Sequence, residues 1–137
     1  MTKPPLADVP IRSADDLTHR WELLLDPPEF SARSLWLAWL DDGLMLPVVI
    51  PVDDVPARPD GPLLANLASV CESIAESHVA GACHLAMALC RPGRPTVTRD
   101  DDAWAEGLRG ALEASSATWS LHLAAGGTVQ PVVDLPA

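Results

Sequence analysis

Six side chains of this 137-residue chain have the chemistry of metal ligands or nucleophiles: Cys83, His84, Cys90, Thr98, Asp101 and His122. Thiolate, imidazole and carboxylate are the usual donors to zinc, and a thiol or hydroxyl beside an imidazole is the core of a nucleophilic hydrolase. Spacing limits which of them can act together. Cys83 to Cys90 is a nearly uncharged run of strand length, and alternate side chains of a strand point to opposite faces. Cys83 and Cys90 therefore face opposite ways, and His84 lies roughly 20 Å along an extended chain from Cys90. These three share one ion only if the strand is broken. A site built from Cys90, Asp101 and His122 remains open. Thr98 with Asp101 three residues later is also a capping box, which accounts for both residues without any metal.

The other polar candidates read more plainly. His78, His84 and His122 fit partly buried histidines that each make one hydrogen bond, and His19 fits the surface of a first helix. No Ser/His/Asp arrangement is visible from spacing. Gly126-Gly127 runs into Thr128 and not into a helix, which argues against a phosphate or dinucleotide loop. The five tryptophans read as core residues.

Any site must be held by one domain, because 137 residues fill a single core. With 48% hydrophobic and 20% charged residues the composition is that of a globular protein. The net charge is −10, and Lys3 is the only lysine. Phosphate binding needs clustered cations, so nucleic acid is excluded as a direct partner, and anionic lipid attracts such a chain weakly. Three cysteines leave one unpaired under any scheme, and apolar surroundings predict reduced thiols. The first ten residues lack a signal-peptide core, and no uncharged apolar run approaches the roughly 20 residues of a membrane span. The prediction is a cytoplasmic protein with no membrane partner.

Residues 1–12, with three prolines, read as an extended or mobile arm, and 13–137 as a single α/β domain. Ser13 and Asp16 form a capping pattern, and Leu17, Trp21, Leu24 and Leu25 share one helical face before Pro27-Pro28 stops the helix. Arg33–Leu40 and Leu44–Val52 flank Asp41-Asp42-Gly43 and predict a hairpin. Trp36 and Trp39 fall on opposite faces of its first strand, so that strand is covered on both sides or shows one tryptophan at an interface. Pro47 and Pro51 place the second strand at an edge or in a bulge. Asp60 caps a helix whose Leu63, Leu64, Leu67, Val70, Cys71, Ile74 and His78 share one side. The run to Cys90 predicts a buried strand, and Thr98 opens a helix striped by Trp104, Leu108, Ala111 and Leu112. Thr118–Ala124 and Thr128–Val133 predict a final hairpin through Gly126-Gly127. The order α-β-β-α-β-α-β-β predicts an α/β sandwich, in three layers or two, with a mixed β-sheet and flanking helices.

Pro95-Thr96-Val97-Thr98-Arg99-Asp100-Asp101 is similar to the Pro-Thr-Pro-Ser-Arg-Glu-Asp stretch that follows the histidine pair of RadC-type proteins. His122-Leu-Ala-Ala-Gly-Gly resembles their later Asp-His-Ile-Ile-Ile-Gly strand. On these segments the chain, from about Phe30 to Val133, resembles the JAB/MPN metalloprotease-like domains, whose fold is a cytidine-deaminase-like sandwich. The zinc signature of that family is His-x-His, seven residues, Ser, two residues and Asp, with a glutamate on an earlier strand. The spacing lands on Ala88, Cys90, Thr98 and Asp101, and the glutamate position falls in Val48-Val49-Ile50. Only Asp101 survives of the ligands, and a catalytic zinc takes three protein ligands.

The resemblance with its ligands missing implies a catalytically inactive JAB/RadC-like domain, without cofactor. Family members lacking the ligands are scaffolds that pair with domains of the same fold, so a protein partner or homo-oligomer is expected. The alternative is a hydrolase or small-molecule-binding protein using a relocated site in the former metal groove, centred on Cys90, Thr98, Asp101 and His122.

Overall fold

Caps, proline stops and glycine turns cut the chain into eight elements, and a computed structural model describes them over residues 11–41, 44–78, 84–113 and 118–133. They are α1 (Ala14–Leu24), β1 (Ser34–Asp41), β2 (Leu44–Asp53), α2 (Gly61–His78), β3 (His84–Cys90), α3 (Arg99–Ala111), β4 (Thr118–Ala125) and β5 (Thr128–Val133). This is the order the sequence predicts. Of the arm at residues 1–12, residues 1–10 lie outside the described residues, as do the turn residues Asp42 and Gly43, whereas Ile11 is buried in the cluster with Leu17 and Trp21.

The five strands form one mixed sheet in the order β2-β1-β3-β4-β5. β3 and β4 are parallel, as a strand–helix–strand crossover through α3 requires, and the other pairs are antiparallel. All seven residues of β3 are buried, which explains why its sequence shows no polar alternation. β2 is an edge strand, and its register with β1 shifts between Ala38 and Leu40. Pro51 can take its place there because an edge strand need not donate from every N–H. The β4–β5 turn uses Gly126 and Gly127 at φ 58° and 82°, as a two-residue hairpin of this hand demands.

Two apolar clusters on opposite faces make the sandwich three-layered. Under α2 and α3 lie Leu35, Leu37, Trp39, Leu85, Met87, Leu89 and Leu121, with Leu67, Trp104 and Leu108 from the helices. Under α1 the sheet offers small side chains, Ala38, Ala86, Ala88, Cys90 and Ala124, against Leu17, Trp21 and Leu25. Trp39 is buried on the first face, while Trp36 is half-buried on the second and donates its indole N–H to Ser34 Oγ at 3.3 Å. Asp60 caps α2, accepting from Leu63 N at 2.7 Å. Only part of the α2 stripe is covered: Leu67 is buried, Leu63 and Leu64 are half-buried, and Val70 is exposed. The side chains of Cys71, Ile74 and His78 lie outside the described residues. Among the described residues no helix is long and apolar enough to cross a membrane.

Candidate functional site

The corner between β3 and α3 is organised by Arg91. Asp101, the third residue of α3, is fully buried because Thr98 caps the helix and turns its first turn against the sheet. The capping box is complete: Asp101 N donates to Thr98 Oγ1 at 3.3 Å, and Thr98 N donates to Asp101 Oδ2 at 2.8 Å. Arg91 Nε donates to Asp101 Oδ1 at 2.9 Å and Nη2 to Oδ2 at 2.8 Å, a two-pronged pairing that a planar guanidinium suits. The remaining N–H groups of Arg91 reach the carbonyls of Pro92, Arg94 and Thr96 at 3.0, 2.9 and 2.8 Å. A guanidinium has five N–H donors, and all of them are used.

Burial alone would raise the Asp101 pKa, but hydrogen bonds from Arg91 and Thr98, with the Arg91 charge, outweigh it and hold the carboxyl below the ordinary range. Asp101 is therefore an ionised carboxylate whose two oxygens are both already bound by donors. The corner is braced from outside as well. Arg91 N donates to Ala124 O, Gly127 N to Pro28 O, and Gln130 Nε2 to Pro95 O. A Cβ on Gly126 would stand 2.7 Å from Pro95 Cδ, so only glycine allows this approach.

Cys90 and His122 belong to the other face. Cys90 is free and fully buried under α1, and burial, only partly offset by a hydrogen bond with Ser34, pushes its thiol up to about 12. Such a thiol stays protonated and is a poor nucleophile or ligand. His122 is fully buried on β4. Thr18 Oγ1 lies 3.1 Å from Ala14 O and shares a 2.7 Å hydrogen bond with His122 Nε2, which ties α1 to the sheet. The four candidate residues thus separate: Thr98 and Asp101 lie at the start of α3, Cys90 and His122 beneath α1. Among the described residues no three His, Cys, Asp or Glu side chains cluster to hold a metal ion.

Spacing did not reveal one further constellation. His84 makes two hydrogen bonds, not the one expected: Nδ1 with Thr118 Oγ1 at 2.7 Å and Nε2 with Ser120 Oγ at 2.8 Å. The parallel register pairs His84 with Thr118 and Ala86 with Ser120, which lays the imidazole between the two hydroxyls. A serine held by an oriented imidazole has the parts of an activated nucleophile. Ser120 is however fully buried, and a hydroxyl, not a carboxylate, holds the second ring nitrogen.

Burial pushes the His84 pKa down to about 4. The unfolded chain, with an ordinary value near 6.5, takes up this proton first, so His84 destabilises the fold as pH falls from about 6.5 toward 4. The expected loss is about 2 kcal/mol at pH 5 relative to pH 7. Urea unfolding at the two pH values should show it, and His84→Gln should remove most of that difference.

Neither Arg91 nor Ser120 stands out in the sequence. The available signal for Arg91 was its place directly after a buried strand, where a charge must find a partner. The chain matches no family model, no curated protein and no solved structure.

Proposed function

We propose that this chain is a degenerate JAB/RadC-like domain that carries no metal chemistry and serves as a protein-interaction or structural module of the cytoplasm. One observation carries the reading: Asp101, the sole remaining counterpart of a zinc ligand, has both oxygens bound by Arg91 and one also by Thr98. The separation of Cys90 and His122 from Thr98 and Asp101 counts against the relocated-site alternative. The buried Ser120–His84 pair is the one feature in that alternative's favour, and it lacks access to a substrate.

The edges of the sheet bear on how a partner would dock. β2 carries Pro51 and a register shift, and β5 carries Pro131 beside a shift between Leu121 and His122. Both features blunt strand addition. Docking through helices or loops fits the molecule better than extension of the sheet.

The test restores the missing histidines with Ala88→His and Cys90→His. Both positions are fully buried among small side chains under α1, so overpacking should cost about 1–3 kcal/mol per site. Neither the double variant nor the unaltered chain should retain stoichiometric zinc by elemental analysis after dialysis. One zinc per unaltered chain would sink the metal-free reading.

A further inference from the structure

Arg91 is 97% buried, and a buried ion pair is weak evidence for stability, since apolar residues of equal volume often serve as well. What an apolar residue cannot supply is direction. The guanidinium sends two donors to Asp101 and three to the carbonyls of Pro92, Arg94 and Thr96. Those carbonyls turn inward at alternate residues, while the side chains of Arg94, Thr96 and Val97 are exposed. Pro92 and Pro95 have no N–H with which a neighbouring turn could satisfy the loop from within. Carbonyl and carboxylate oxygens converging on one positive charge is the arrangement a loop adopts around a hard metal cation.

We infer that the Arg91 guanidinium is the built-in cation of this corner: it binds Asp101 and folds residues 92–96 around itself, so the corner needs no external ion. That this charge stands in for a family metal rests on the proposed reading, whereas its ordering of the loop does not. Zinc retention tests the first and the loop's stability tests the second, so the two can fail separately.

The experiment uses the full chain with Arg91→Ala. Thermolysin cleavage before the exposed Val97 reports opening of the loop. Cleavage should accelerate about a hundredfold or more, as expected when the buried Asp101 charge loses its partner. Guanidinium chloride at tens of millimolar, far below its denaturing range, should enter the vacated space and restore much of the protection. Sodium chloride at equal ionic strength should not. Arg91→Lys keeps the charge without the planar fork and should open the loop to an intermediate degree, and it serves as the test if the alanine variant does not fold. Arg91→Ala or Arg91→Lys as resistant as the unaltered chain would overturn the inference. So would rescue of Arg91→Ala by zinc to the same extent as by guanidinium, since the corner would then be a latent metal site.

Discussion

Asp101→Ala is expected to lower the Tm by roughly 10–20 °C, the equivalent of about 3–5 kcal/mol in a domain of this size. The substitution removes the only ionic partner, among the described residues, of a guanidinium whose side chain is 4% exposed, and the stranded charge must then be drawn into water or left unpaired. It also deletes half of the α3 capping box, because Thr98 N loses its acceptor. The effect should depend on pH in one direction. The native Asp101 pKa lies below its unfolded value, so its contribution is whole above the ordinary carboxylate range and is lost as pH falls through the depressed native value. Differential scanning calorimetry of the two chains should therefore show a wide gap at pH 7 that narrows in strong acid. A gap under about 1 kcal/mol at pH 7, the range of surface ion pairs, would mean that Asp101 is not the anchor of this corner.

Trp21→Ala should cost a similar amount, about 3–5 kcal/mol, for a different reason. Trp21 is fully buried and is the largest side chain that α1 sets against the sheet. The sheet beneath it is floored by Ala38, Ala86, Ala88 and Ala124, none of which can extend to fill the space left behind. A cavity is therefore expected, and with it partial loss of the seat that Thr18 and His122 hold at 2.7 Å. Leu23→Ala, on the outer side of the same helix at 47% exposure, should change stability by less than about 0.5 kcal/mol. Urea unfolding of the pair distinguishes packing from helix propensity, since both substitutions favour the helix. A Trp21→Ala variant within about 1 kcal/mol of the unaltered chain would show that α1 is not anchored through this residue.

Legibility in the sequence follows the range of the interaction. Ser13, Asp60 and Thr98 were readable as caps because a cap joins residues two to three positions apart. Gly126-Gly127 was readable as a turn because the required backbone angles belong to those residues. Trp36 and Trp39 could be placed on opposite faces from parity, but not ranked by burial. Their cover comes from α1 on one side and from α2 with α3 on the other, elements distant in the chain. Val70 illustrates the same limit: helical periodicity puts it on the apolar stripe, and only the position of α2 against the sheet leaves it 40% exposed.

By itself the sequence determined the eight elements, their order and the α/β class, since caps, turn residues and hydrophobic period act within a few positions. It also determined that Asp101 caps its own helix. Only the tertiary structure decided which residues meet. β3 and β4 run parallel, and that register brings His84 to Thr118 and Ser120 from more than thirty positions away. Arg91 and Asp101 are ten residues apart in sequence, yet their pairing depends on burial, because a guanidinium in water would find its partners in the solvent. Cys90 and Asp101, joined in the sequence by the spacing of a metal signature, are assigned to opposite layers by the folding of β3 and α3 around the sheet.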